Sequence, residues 1–246
     1  MSRYFITLSY DGTRFHGWQV QPNGVSVQEV LEDALGKLLR QPTPVTGAGR
    51  TDAGVHAREM VAHFDTDQQI DGKQMIYRLN RILPRDVAVD SVREVPQEMH
   101  ARFSAVRRMY HYYIHTTKAP FLRHYSCELH YPLDFQLMNE AAETLLSYSD
   151  FGAFCKSHSD VKTTLCTIYA ARWHQISDDA WYFEIAANRF LRNMVRAVVG
   201  TLIEVGRHRL TVEEFKQVIE TGSRSAAGES MPAHALFLEQ VDYEGL

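Results

Sequence analysis

Two kinds of hydrophobic periodicity alternate along this chain, and the alternation runs through both halves. Tyr4 to Tyr10 places large apolar side chains at every second position, the pattern of a half-buried strand, and Asp11-Gly12 turns the chain. Ser26 with Glu29 three residues later forms a capping box, and Val27, Leu31, Ala34, Leu35 and Leu38 give the helix one apolar face. Pro42 cannot continue that helix. A short strand around Val45 and another over Met60 to Phe64 are predicted next. Asp71 then caps a helix carrying Ile76, Leu79, Ile82 and Leu83, and Val87 to Val95 is extended.

The second half repeats this order more loosely. Met109 to His115 is an aromatic-rich strand, and Asp134 precedes a helix with Leu137, Met138, Ala141 and Leu145 on one side. Thr167 to Gln175 and Trp181 to Ala187 are predicted strands. Leu191 to Val205 is a strongly apolar helix stopped by Gly206, Thr211 and Glu214 form a second capping box, and Leu236 to Tyr243 is the last strand. Short connections between interleaved strands and helices predict an α+β fold with mainly antiparallel sheets. The best boundary falls between Phe103 and Arg107, giving an N-terminal half, 1–104, and a C-terminal half, 105–246.

Composition narrows the classes further. No run of 18 apolar residues offers a membrane span, and the N-terminus begins as a strand without the layout of a secretion signal. Three cysteines, Cys127, Cys155 and Cys166, are widely spaced and odd in number, which argues for cytosolic thiols over a disulfide framework or a zinc ribbon. The net charge of −4 counts mildly against an RNA partner. Arginines nevertheless gather at Arg78, Arg81 and Arg85, at Arg102, Arg107 and Arg108, and at Arg189, Arg192 and Arg196. Charge placement matters more than its sum. His111 and His115 stand four apart, but on a predicted strand they are not expected to share a face as they would on a helix, and no metal site is expected.

The segment Gly47-Ala48-Gly49-Arg50-Thr51-Asp52-Ala53-Gly54-Val55-His56-Ala57 carries the chemistry. Its glycines permit a tight backbone path. Asp52 stands where a dinucleotide fingerprint needs its third glycine, and the segment leads into a strand; no Gly-Lys-Ser/Thr makes it a P-loop. Asp52 is its only carboxylate, beside Arg50 and near His56. Taken alone, an aspartate among glycines most often caps a turn. A non-catalytic RNA-binding module and a phosphate-binding metabolic enzyme are the competing readings.

The Arg50-Thr51-Asp52-Ala53-Gly54-Val55-His56 run closely resembles the catalytic loop of the TruA family of tRNA pseudouridine synthases. Further matches follow in order: Phe15-His16-Gly17-Trp18-Gln19, Val27-Gln28 with Leu31-Glu32, Leu79-Asn80, Leu83-Pro84 and Asp86-Val87-Ala88-Val89. They continue with His100-Ala101-Arg102-Phe103-Ser104-Ala105, Arg108-Met109-Tyr110-His111-Tyr112, Phe190 to Arg196, Gly200-Thr201-Leu202 and Glu204-Val205-Gly206. Ser230-Met231-Pro232-Ala233 and Ala235-Leu236 depart from the family's Thr-Ala-Pro-Pro stretch and Gly-Leu pair.

The resemblance implies two ferredoxin-like halves forming an extended, mainly antiparallel sheet with a central catalytic cleft, and a cytoplasmic homodimer that grips the tRNA anticodon arm. The implied substrate is uridine at tRNA positions 38, 39 and 40. Asp52 would be the nucleophile or base, Arg196 its ion-pair partner, Tyr110 the residue stacking on the target base, and Arg50 a base-flipping or RNA contact. The reaction breaks C1′–N1 and joins C5 to C1′ without net oxidation, so its stoichiometry calls for no cofactor.

Overall fold

A computed structural model of the chain describes residues 1–156 and 161–245. They form two compact units, Met1–Val106 with Phe237–Leu246, and Arg107–Leu236. The class is α+β, and most strand pairs in each unit are antiparallel.

In the first unit β1 (Ser2–Tyr10) lies between β3 (His56–Thr66) and β4 (Val87–Val95), antiparallel to both. The two-residue β2 (Thr46–Gly47) pairs with the far part of β3. The last strand, β9 (Leu236–Tyr243), returns here and runs parallel to β3 through His56 opposite Phe237 and Ala57 opposite Leu238. Helix α1 (Val27–Leu39) opens on the expected capping box: Ser26 Oγ accepts from Glu29 N at 3.1 Å and Glu29 Oε2 accepts from Ser26 N at 3.4 Å. It ends at Arg40, which adopts a left-handed conformation ahead of Pro42. Its buried face is Val27, Leu31, Ala34, Leu35 and Leu39; Leu39 takes the place expected of Leu38, because the face drifts as 3.6 residues per turn accumulate. Helix α2 (Gly72–Ile82) is capped by Asp71. It buries Met75 and Leu79, with Leu83 just beyond, and leaves Ile82 exposed, so the expected face over Ile76 and Ile82 is rotated by about one residue. Asn80 grips β4 through both ends of its amide, donating to Val89 O and accepting from Val89 N.

β1 keeps the expected alternation, with Tyr4, Ile6, Leu8 and Tyr10 buried and Arg3, Thr7 and Ser9 partly exposed; Phe5 is the exception, buried on the other face where the sheet is locally covered. That cover is the segment 96–104. Arg3 donates two bonds to Asp65, both 2.8 Å, and a third to Met99 O. Tyr243 packs against Phe5 with ring centroids 5.0 Å apart and donates its hydroxyl to Ala101 O. Ala101 N donates to His63 Nδ1 at 3.1 Å.

The second unit is built on β5 (Ala105–His115), β8 (Ala180–Ala187) and β7 (Ile168–Ser177), paired antiparallel in that order, with short β6 (Cys127–Glu128) parallel to β5. Tyr112, Phe183, Ile185 and Trp173 face the helices α3 (Phe135–Thr144), α4 (Met194–Gly206) and α5 (Val212–Thr221). Helix α4 begins three residues later than expected because Asn193 takes a positive φ. Every residue of α4 is buried except Arg196 and Glu204. Small residues let neighbours approach it closely: a Cβ on Gly206 would lie 2.4 Å from Met138 Sδ of α3.

Burial of His63 favours its neutral form, with Arg3 and His100 adding to the effect, and pulls its pKa down to about 4 from 6.5. The unfolded chain then binds a proton that the folded chain refuses between these values, so stability rises with pH from about 4 to 6.5 and is lost as pH falls through that window. The contribution is about 3 kcal/mol at full extent. In thermal melts across this range, His63→Gln is expected to flatten the wild-type slope of Tm against pH; an unchanged slope would refute the assignment.

Candidate active site

The glycine-rich loop runs from β2 into the start of β3, and the N-terminal segment after β1 clamps it from beneath. Tyr10, the last residue of β1, shares a buried hydrogen bond of 2.8 Å with Thr51 Oγ1. Trp18 N donates to Thr51 O at 3.2 Å, and Gly54 N donates to Phe15 O at 3.3 Å. Thr51 is therefore held by side chain and carbonyl, one residue before Asp52. Val55 N closes a turn onto Asp52 O at 3.1 Å, with Gly54 supplying the positive φ (78°) that the third position of a type II turn requires.

Two glycines make the clamp possible. Gly17 has φ 85°, and a Cβ there would lie 2.4 Å from Thr51 O. A Cβ on Gly12 would lie 2.0 Å from Val55 O. Gly12 N also donates to His56 Nδ1 at 3.0 Å, and Asp11 Oδ1 lies 3.1 Å from the same nitrogen. The His56 ring is buried and stacks on Phe237 at 4.5 Å. On the other side, Gln28 donates to Glu32 Oε1 and to Val45 O, while Glu32 Oε1 accepts from Val45 N. These bonds fix α1 to the strand that enters the loop.

Asp52 is thus half-exposed on a rigid peptide, and Arg50, two residues earlier, is exposed. Tyr110 and Arg196 belong to the second unit. Tyr110 sits on β5 opposite Ile185, partly exposed, with Phe190 edge-on at 5.1 Å. Arg196 projects from the apolar helix α4, and its Nε donates to Met231 O at 2.5 Å while Met231 N donates back to Arg196 O at 3.1 Å.

The divergent Ser230–Leu236 stretch is therefore structural. Ser230 Oγ accepts from Asn193 Nδ2 and Arg224, Pro232 O accepts from Tyr112 OH, and Gly228 N donates to Thr201 Oγ1. A Cβ on Gly200 would lie 1.8 Å from Glu229 O, so this segment rests directly on α4. Sequence reasoning missed Tyr10 and Met231. Tyr10 reads only as a strand residue, though a tyrosine closing a strand before Asp11-Gly12 is a cue; Met231 acts through its backbone, which no side-chain pattern reports.

Among the described residues no group of three or more His, Cys, Asp or Glu is placed to hold a metal ion. Contrary to expectation His111 and His115 share a face of β5, because side chains alternate with a period of two, but four residues of extended chain set them about 13 Å apart. His115 Nδ1 is engaged with Ser126 Oγ at 2.9 Å. No helix is long and apolar enough to cross a membrane among the described residues.

The family model described as tRNA pseudouridine synthase matches residues 6–104 and 141–244. Asp52 and Arg196 fall inside the matched segments, and Tyr110 falls between them. Proteins called tRNA pseudouridine synthase A are similar over nearly the whole chain. That of Bacteroides fragilis is 56% identical over 244 residues, covering 99% of this chain and 97% of the relative. That of Bacteroides thetaiotaomicron is 55% identical, covering 99% and 91%, and that of Bacillus subtilis 41% identical, covering 98% and 99%. The chain belongs to the tRNA pseudouridine synthase family and is an isomerase.

The clamp beneath Asp52 has a measurable strength. Tyr10→Phe removes a buried hydrogen bond and is expected to cost about 1 kcal/mol in urea unfolding. Gly17→Ala must accommodate both the positive φ and the contact with Thr51 O, and is expected to cost more. A Gly17→Ala protein with an unchanged unfolding midpoint would show that this segment does not grip the loop.

Proposed function

We propose that this chain converts uridine to pseudouridine in the anticodon stem-loop of tRNA, at positions 38, 39 and 40. The observation that carries the proposal is the half-exposed carboxylate of Asp52 on a loop whose preceding residue is anchored by two hydrogen bonds. Its fixed position suits a group that must meet one atom of a displaced nucleotide. The C1′–N1 bond breaks, the base turns, C5 bonds to C1′, and the proton of C5 is lost as N1 gains one. Asp52 acts at the sugar, as nucleophile at C1′ or base for a neighbouring sugar proton.

The two halves divide the work: 1–104 brings the Asp52 loop, and 105–246 brings Tyr110 and Arg196. Tyr110 stacks on the target base, for which a partly exposed phenol ring is suited. Arg50 meets the displaced strand. Arg196 is the guanidinium partner that orients Asp52; its Nε is committed to Met231 O, so the terminal amino groups are the ones that address a carboxylate. Free, buried Cys127, Cys155 and Cys166 fit a cytoplasmic enzyme. A homodimer is proposed from the family resemblance, and light scattering of the purified protein tests it.

Incubation with unmodified tRNA followed by mapping of pseudouridine tests the activity and its positions; modification confined to other uridines would overturn the positional assignment. Asp52→Asn is expected to abolish single-turnover isomerisation while filter binding of tRNA stays close to wild type. Substantial product from that variant removes Asp52 from the chemistry. Arg196→Lys keeps the charge but loses the planar fork, so it should retain the melting temperature and lose much of the rate, and Arg196→Met should lose more. Full rate in Arg196→Met would end the pairing.

A further inference from the structure

Gly49 is a glycine that its own chain does not require. Every other glycine of the described residues has a positive φ or would bring an added Cβ closer than 3.4 Å to another atom, except Gly36 and Gly152, where a Cβ would meet ordinary contacts from 3.4 Å. Gly49 has neither feature, and a Cβ there would point into open space. Glycine at such a position is explained by something that comes to it: a ligand passing close to the backbone.

The space beside Gly49 is a shallow cavity of about 210 Å³ whose lining includes Trp18, Gln19, Gly47, Gly49, Arg50 and Arg102. Its chemistry is one-sided. Among the described residues two guanidiniums line it and no carboxylate does. Arg102 is exposed, with its guanidinium 5.6 Å from the centre of the Phe103 ring. The one aromatic lining residue, Trp18, is only 3% exposed and is wedged against Gly47, where a Cβ would lie 2.5 Å from the indole. It therefore offers no face for a base to stack on. Paired guanidiniums suit a compact anion, and the lining presents no open aromatic face for a base.

We infer that this cavity seats one phosphodiester of the RNA strand next to the target nucleotide, gripped by Arg102 and Arg50, with Gly49 leaving room for the backbone to approach. The inference rests on the function proposed above, which supplies the RNA; the Thr51-Asp52 peptide that follows Arg50 places this phosphate within a nucleotide or so of the reacting sugar. Phosphate contacts of this kind fix register rather than sequence.

The test uses an anticodon stem-loop RNA carrying a single neutral methylphosphonate, moved linkage by linkage around the target, with binding read by filter retention and isomerisation by single turnover. One linkage should weaken wild-type binding about tenfold or more, the scale of a charge-assisted hydrogen bond. Gly49→Val and Arg102→Gln should weaken binding of unmodified RNA to a similar degree and be indifferent to neutralisation of that same linkage. Gly49→Ala should fall between, with a melting temperature equal to or slightly above wild type, since its Cβ meets nothing. Wild-type binding by Gly49→Val, or full sensitivity to that linkage in both Gly49→Val and Arg102→Gln, overturns the inference. A wild-type protein that binds the RNA without forming pseudouridine overturns the proposed function, and the linkage map then still decides the cavity. Failure of the wild type to bind the RNA overturns both.

Discussion

A single buried hydrogen bond, Tyr10 to Thr51 at 2.8 Å, ties the end of the central strand of the first unit to the residue before Asp52. A carboxylate on a glycine-rich loop would ordinarily sample many orientations, because glycine loses more conformational freedom on ordering than any other residue. Here that entropy is offset by bonds that converge from one short segment: Tyr10, Phe15 and Trp18 all hold residues 51–54. The segment can lie so close only because Gly12 and Gly17 lack side chains. The order of β1, hydrogen-bonded along both edges to β3 and β4, is thereby transmitted to the loop. The candidate carboxylate sits on a loop, and its placement derives from the sheet.

A parallel device operates in the second unit. Arg196 is one of two residues of α4 that are not buried, and the helix is otherwise apolar all round. A long, flexible side chain in that setting needs a fixed acceptor to choose one direction. Met231 O provides it through Nε, and the reciprocal bond from Met231 N makes the anchor two-sided. The segment that carries Met231 is itself fastened by Ser230, Pro232 and Gly228 to Asn193, Arg224, Tyr112 and Thr201. This explains how the chain can depart from the family's Thr-Ala-Pro-Pro stretch here: the contacts to Arg196 and Tyr112 are made by backbone carbonyls, which any residue supplies, and Ser230 contributes only a small hydroxyl acceptor.

The helices and most strands were legible because their signals are local. Ser26 with Glu29 and Thr211 with Glu214 are capping boxes in the sequence and in the structure. What was not legible depends on contacts far apart in the chain. Nothing near Phe5 or His63 announces that 96–104 will cover them, and nothing near Leu236 announces that β9 will pair with His56 and Ala57 rather than continue the second unit. The late start of α4 follows from a left-handed Asn193, a conformation no periodicity encodes. At the candidate site, residue types alone would have left Asp52 a turn residue and Tyr110 a core aromatic. The ordered run of family motifs singled them out, because a motif records what ligands require as well as what folding requires. Gly49 is the reverse case: its meaning emerges only once the structure shows that folding makes no demand there.

The net charge of −4 ceases to argue against RNA once its placement is considered. Many acidic side chains are neutralised locally by basic neighbours: Asp33 by Lys37, Asp65 by Arg3, Asp86 by Arg14, Glu204 by Arg207, Glu213 by Lys216 and Glu239 by Arg58. Such pairs cancel in the far field and contribute little stability where exposed. Beside the Asp52 loop the balance differs, with Arg50 and Arg102 lining a cavity that, among the described residues, no carboxylate lines. A polyanion samples the surface at distances near the Debye length of about 8 Å, so it responds to this local imbalance rather than to the sum over the chain.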